Sequence, residues 1–481
     1  MRIQAYIFFF LTALFAGGTL KLLFDLQTNF YDEKAIDKLI LLGIFSATFA
    51  FSIRFIKKQP PWIHTASAIT MMIVLVFGPR SLYTLTGYTE LAGLLVYLCM
   101  VLLGTAFGIF YRHYKSAKND QFAFPILMGI GLWTGSEWID LNTTNGVFIL
   151  ALIPVIFLLI NVSKWHRILI AIIAVLVIGL SFLWDEPIKL YPTQKKYFDK
   201  LVFSHKTRFQ QIDVTEWKGN YWFYLDNVNQ FASLDEWLYA EPLIHPVMTA
   251  ADEKSNVLII GGENGLGLRE VLKYDAVNKV HLAPVDREYL EVATTNELYS
   301  NINEQSLKSD RLTIIDQEIF RYLSEKQSYY DIIIIDVPDP IDIELNQYFT
   351  KELYELCFLS LKPKGLMVTQ AGSPYFATKA FMSLEFTIGA AGFQTVPYHN
   401  QILSLGEWGW IVGAKTGNSD EWKEKMKGLN FEYVTTKWLN NESMRMMLSF
   451  GKPYIDFDSI SINTLKRPVL HQYYSTGTWK F

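Results

Sequence analysis

Seven apolar stretches crowd the first 184 residues, and they constrain the fold of this chain more than any motif does. They run over about 3–24, 39–56, 63–79, 91–111, 122–139, 147–162 and 167–184. Each approaches the length a helix needs to cross the hydrocarbon of a bilayer. The pattern predicts an α-helical multi-span membrane domain of about seven helices over 1–184. The first stretch reads as a retained helix, because no small-residue cleavage site ends it and six more stretches follow. Composition agrees: 51% of the 481 residues are hydrophobic and mean hydropathy is +0.16, with the apolar excess lying before residue 185.

Loop charges alternate along this half. Arg54, Lys57 and Lys58 follow the second stretch, Arg112, Lys115 and Lys118 the fourth, and Lys164 and Arg167 lie between the last two. Asp32, Glu33, Asp37, Glu137 and Asp140 fall on the other side. The positive-inside rule then puts the N-terminus in the cytoplasm. Seven spans place the second half outside, whereas a charged cytosolic ligand, inferred below, places it in the cytoplasm. Either the domain is external or one stretch does not span; the short third one, ending in Gly78-Pro79-Arg80, is the weakest. Arg80 and Glu137 sit near predicted membrane edges, as snorkelling side chains do. No dense set of intramembrane charges suggests transport, so the lipid bilayer is read as an anchor. A net charge of −4, thinly spread, excludes a nucleic-acid surface. Two cysteines, Cys99 and Cys357, exclude a disulfide framework or a zinc site.

After Trp184 the chain turns polar. Residues 185–206 read as a linker with Pro187 and Pro192. Residues 207–250 contain the strand-like runs RFQQIDVTEW, YWFYLDNVNQF and EWLYAEPLIHP, a small β unit. From residue 256 strand and helix patterns alternate: NVLIIGG, GLREVLKY, KVHLAPVD, REYLEVATTNEL, RLTIID, YYDIIIIDVPDP, TKELYELCFLSL and GLMVTQAG. Wholly apolar strands such as DIIIID fit a parallel sheet buried on both faces. The order predicts a doubly wound α/β domain over 251–415, with 416–481 as a C-terminal extension packed on it.

In such a sheet ligands bind at the carboxyl ends of the strands, and several candidate groups fall there. Gly261, Gly262, Gly265 and Gly267 form the turn after the first strand, where glycine lets backbone approach a ligand. Asp286 ends the second strand, 19 residues after Gly267, the usual place for an acid on ribose hydroxyls. Asp336 and Asp339 end a buried strand and are placed to take a proton or hold a cation. Glu263, at the tip of the glycine turn, reads as a solvent-facing loop residue.

Together these motifs resemble the membrane-fused bacterial spermidine synthases, the polyamine aminopropyltransferases. The resemblance runs from about 207 to 415 and rests on FQQI, LDNVNQ, DEWLYAEPLIHP, VLIIGGENGLGLREVLKYDAVNKV, DIIIIDVPDP and GEWGWIVGAK, with SINTLKRPVLHQYY beyond them. It implies a Rossmann-like, methyltransferase-like domain that moves an aminopropyl group from decarboxylated S-adenosylmethionine to a polyamine. It also implies release of methylthioadenosine, no metal and no further cofactor, and, by analogy, a homodimer. Carried over, Gln210 and the turn (Gly261, Gly262, Asn264, Gly265) contact the nucleoside, and Glu318 reads the adenine amino group. Asp336 accepts the proton of the attacking amine, and Asp339 and Tyr239 orient the reacting groups.

The departures are concentrated at the reacting end. The family's Gly-Gly-Gly-Asp-Gly-Gly turn is Gly261-Gly262-Glu263-Asn264-Gly265-Leu266 here, so Asn264 replaces the acid that holds the donor's ammonium. The ribose-binding Glu falls on Pro284, leaving Asp286 as the nearest acid; Ala240 and Leu403 replace a His and a Tyr. An Asn can hydrogen-bond an amine and a carboxylate alike. The resulting expectation is an S-adenosylmethionine lyase, in which the substrate's own carboxylate attacks its γ-carbon and closes homoserine lactone. The alternatives are aminopropyl transfer from the decarboxylated donor and a non-catalytic nucleoside sensor.

Overall fold

The computed structural model describes residues 193–340, 343–451 and 460–476, with isolated positions before 193. The chain divides into two compact units, 1–198 and 199–481. The seven apolar stretches lie, isolated positions aside, outside the described residues; among the described residues no helix is long and apolar enough to cross a membrane.

The second unit opens with a four-stranded antiparallel sheet, β1 (Lys200–Lys206), β2 (Gln211–Trp217), β3 (Asn220–Leu225) and β4 (Val228–Ala232), in that spatial order. The sheet therefore starts inside the segment read as a linker. Its second and third hairpins turn on residues with positive φ, Lys218 (52°) and Gly219 (79°), then Asp226 (48°) and Asn227 (68°). Two consecutive residues of that kind match the twist of the flanking strands. They also break the run YWFYLDNVNQF into two strands.

The run EWLYAEPLIHP is not a strand. Residues Trp237–Ala250 form the helix α1, with Leu243, Ile244, Val247 and Met248 completely buried. Their spacing is helical, and it overrides the strand-like aromatic start. Two prolines inside the helix remove backbone donors, and the fold supplies replacements. Pro242 leaves the Leu238 carbonyl without its partner four residues on, and Asn400 Nδ2 donates to it at 3.1 Å. Pro246 does the same to the Pro242 carbonyl, which accepts from the Tyr398 hydroxyl at 2.9 Å.

The main sheet has seven strands. They are β5 (Asn256–Gly261), β6 (Lys279–Ala283), β7 (Leu312–Ile314), β8 (Tyr330–Asp336), β9 (Leu361–Gly372), β10 (Gln394–Ile402) and β11 (Gly406–Ala414). Their order is β10-β11-β9-β8-β5-β6-β7, parallel from β9 to β7 and antiparallel at β10 and β11. Side-chain alternation divides the apolar strands between two cores: Val257, Ile259, Ile332 and Ile334 face one, Leu258, Ile260, Ile333 and Ile335 the other. Helices α2 (Leu266–Leu272), α3 (Arg287–Thr295), α4 (Glu297–Ile302), α5 (Ile319–Ser324), α6 (Lys351–Ser360) and α7 (Thr378–Ala390) connect the strands. After β11 come α8 (Ser419–Lys427), α9 (Asn441–Met447) and α10 (Val469–Thr476). Buried Glu241 of α1 ties this last segment down, accepting hydrogen bonds from the amides of Lys437, Trp438 and Leu439.

Strand order reverses between β5 and β8, the point where doubly wound sheets open a crevice at the carboxyl ends of their strands. There Gly261 pairs with Asp336. A Cβ on Gly261 would lie 2.3 Å from the Asp336 carbonyl oxygen, at a φ of +77° that side chains disfavour. Gly261→Ala is expected to destabilise the unit by about 2–4 kcal/mol, the range for backbone overpacking at a special φ. A thermal midpoint within a degree of the parent protein would contradict this.

Candidate active site

The crevice is a cavity of about 1010 Å³, its open mouth included. Gln210, Tyr239, Gly262, Glu263, Asn264, Asp336, Asp339, Gln370 and Trp408 are among its lining residues. Parallel pairing of β5 with β8 fixes the centre. The Gly262 amide donates to the Asp336 carbonyl at 2.8 Å, so the glycine turn and the acid rise from one backbone clamp.

Asp336 Oδ1 accepts the Tyr239 hydroxyl at 2.8 Å. Burial pushes the Asp336 carboxyl up to about 6, with the Tyr239 bond acting against the rise. Burial, then the charge of Asp336, holds the Tyr239 phenol well above its ordinary value, so it stays a donor. The Tyr239 ring stands edge-on to Trp410 at 5.6 Å and to Trp408 at 6.3 Å, which fixes its rotamer. Asp339 Oδ1 accepts from Gln370 Nε2 at 3.1 Å, and the Tyr474 hydroxyl of α10 bonds the same carboxylate. Burial lifts Asp339 to about 6 despite those two donors.

The turn residues have distinct tasks. Gly261 and Gly265 are absent from the cavity wall: the first makes room for β8, and the second precedes α2 and offers its carbonyl to the Ser306 hydroxyl at 2.8 Å. Asn264 Oδ1 accepts the Leu266 amide at 2.8 Å. An amide N–H can bond only the oxygen end of the side chain, so the Asn264 NH₂ group remains as a donor. Gln210 lines the cavity and donates to Asp286 Oδ2 at 3.0 Å.

Asp286 and Glu263 stand elsewhere than their sequence positions suggested, and Glu318 lines a neighbouring depression. Asp286 is not on the cavity wall. It is 1% exposed, caps α3 by accepting the Glu288 and Tyr289 amides on Oδ1, and accepts Thr207 and Gln210 on Oδ2. Glu318 caps α5 through the Phe320 and Arg321 amides and lines a second depression with Pro284, Val285, Ile315 and Tyr348. Glu263 is no solvent-facing residue: it is 4% exposed, and its Oε1 accepts the Val285 and Asp286 amides. Burial raises it to about 7, with those amides opposing the rise.

Sequence reasoning passed over Glu263, Gln370, Trp408 and Tyr474. Gln370 carried a signal of the same kind as Asp336, a polar side chain at the carboxyl end of an apolar strand. Tyr474 ends the run SINTLKRPVLHQYY, but only the tertiary fold brings α10 to Asp339.

Residues 236–425 match the family model for the spermine/spermidine synthase domain. The chain carries a spermine/spermidine synthase domain. This domain is similar to that of a polyamine aminopropyltransferase of Oceanobacillus iheyensis, 33% identical over 64% of this chain and 59% of the relative. The chain thus spans about three-fifths of that relative's length. A polyamine aminopropyltransferase of Leptospira interrogans is 28% identical over 79% of this chain and 70% of its own. The solved spermidine synthase in complex with the transition-state analogue AdoDATO aligns at 27% identity and a TM-score of 0.47, covering 52% of this chain and 86% of that one. The matched domain begins at the residue before α1, so it includes Tyr239, the glycine turn, Asp336 and Asp339 but neither Gln210 nor Tyr474.

Asp336 holds its proton more tightly in the folded chain than at its ordinary value of 3.8. Its contribution to stability is therefore present below about pH 4 and is lost as pH rises through about 6. Asp336→Asn, which keeps an acceptor for Tyr239, is expected to gain about 1–3 kcal/mol at pH 8 and much less at pH 5. Thermal midpoints at the two pH values check this; an equal or lower midpoint for the variant at pH 8 would count against a buried, strained carboxylate.

Proposed function

We propose that this chain is an aminopropyltransferase. It binds decarboxylated S-adenosylmethionine, and an amine acceptor attacks the carbon next to sulfur. The new N–C bond forms as the C–S bond breaks, the bonding pair goes to sulfur, and 5'-methylthioadenosine leaves. Asp336 takes the proton from the attacking nitrogen. The observation that supports this most is the Tyr239–Asp336 pair, with its carboxyl raised to about 6. Such a base is ionised at neutral pH and still has proton affinity to spare. The two carboxylates and the aromatic walls around them also favour a cationic sulfonium over water. Asp339, with Gln370 on one oxygen, orients the acceptor. In this reading the first 184 residues anchor the enzyme in a membrane, with the site on the cytoplasmic side.

Asn264 favours a second reading. Its oxygen is spent on Leu266, and the remaining NH₂ suits a carboxylate better than an ammonium. That supports S-adenosylmethionine itself as substrate, with its carboxylate closing homoserine lactone in place of amine attack. The named relatives are aminopropyltransferases, which favours transfer.

Product analysis with each donor, with and without putrescine, separates the two. Transfer requires decarboxylated donor and amine together; methylthioadenosine from S-adenosylmethionine alone, above the protein-free rate, requires the lyase. Asp336→Asn is expected to lower transfer about 100-fold or more, as loss of a general base does. Its kcat/KM in the parent protein should rise with pH through about 6, because the base works deprotonated. A flat profile between pH 5 and 8 would remove Asp336 from proton transfer.

A further inference from the structure

Glu263 lines one depression and is hydrogen-bonded to the wall of another. It lines the cavity that holds Asp336, Tyr239 and Asn264. Its Oε1 accepts the amide of Val285, and Val285 lines the neighbouring depression with Pro284, Ile315, Glu318 and Tyr348. Burial of a carboxylate at 4% exposure is costly, and the fold supports it with the Val285 and Asp286 amides, both on Oε1, and with its own backbone amide. Oε2 accepts neither the Val285 nor the Asp286 amide.

In doubly wound folds a carboxylate at the end of the second strand of the nucleotide-binding half accepts the ribose hydroxyls. Here β6 ends at Ala283 and is followed by Pro284, which has no polar side chain. Asp286 is two residues further on, and both its oxygens are occupied by four donors of the chain itself. Glu263 reaches the same strand end from the adjacent turn.

We propose that Glu263 is the ribose-recognising acid of this site, accepting a hydroxyl of the vicinal diol from the tip of the glycine turn instead of from the end of β6. The inference rests on the reading of the crevice as a nucleoside site. In such a ligand the ribose joins the base to the sulfur-bearing carbon, and a carboxylate that lines one depression and bonds the wall of the other meets it. Glu263 in a turn otherwise built for backbone approach, and Pro284 where an acid is customary, then become one exchange: the carboxylate has moved from strand to turn.

Calorimetric titration of the full-length chain with 5'-methylthioadenosine and its 2'-deoxy and 3'-deoxy forms tests this. The parent protein is expected to bind the ribo form about tenfold or more tightly than at least one deoxy form, the usual effect of a hydrogen bond to a charged group. Glu263→Gln should lose that preference while binding the deoxy form about as the parent does. Glu263→Asp, shorter by a methylene, should lose most of it, and serves if the glutamine variant does not fold. Equal affinity of the parent for all three compounds overturns the proposal without any variant. So does a glutamine variant that discriminates as the parent does, and in both cases the nucleoside reading stands. No binding of 5'-methylthioadenosine by the parent overturns both.

Discussion

The hydrogen bond from the Gly262 amide to the Asp336 carbonyl, 2.8 Å long, is the joint on which the site turns. It continues the parallel pairing of β5 and β8 one residue beyond the strand and places a turn against an acid. Only glycine at 261 permits the approach, because the β8 carbonyl occupies the space a side chain would need. Everything chemical in the crevice is referenced to this joint. Tyr239 reaches Asp336 from α1, Asp339 follows it three residues later, and Glu263 and Asn264 extend from the same turn.

Helix α1 and α2 are held together by buried charge. Arg269 bonds Glu236 through both terminal nitrogens, at 3.1 and 2.7 Å, and Glu270 through Nε at 2.8 Å. His245 and Lys273 complete the set on Glu270. Burial pushes Glu270 up, but His245, Lys273 and Arg269 outweigh it and bring the carboxyl down to about 2. Buried pairs of this kind add little net stability over apolar packing, yet leaving any one member alone is expensive. The network therefore acts as a register pin: it fixes α1, and with it Tyr239, relative to the helix that begins at the glycine turn.

Much of this architecture was legible in the chain. Alternation of apolar strands and amphipathic segments marked the parallel sheet, and DIIIID announced a strand buried on both faces and ending in an acid. The failures share a cause. EWLYAEPLIHP looked extended because its prolines and aromatics disfavour a helix locally; Asn400 and Tyr398, both on β10, supply the donors that make the helix tenable. Asp286 occupied the expected position, but position does not reveal that Thr207 and Gln210 had already filled its oxygens. Glu263 looked like a loop charge because a one-dimensional reading cannot show that the tip of a turn folds back against the end of β6.

The segments that meet at the crevice are far apart along the chain. Tyr239 and Asp336 are separated by 97 positions, and Glu241 holds Leu439 across 198. Loop-closure entropy delays contacts of this separation relative to local ones during folding. The pairing of β5 with β8, Gly261 against Asp336, is of comparable separation. A carboxylate that is fully hydrated early and desolvated only when distant donors arrive meets its largest cost at the last step. For this chain, competence for chemistry depends on the same long-range closure that completes the fold.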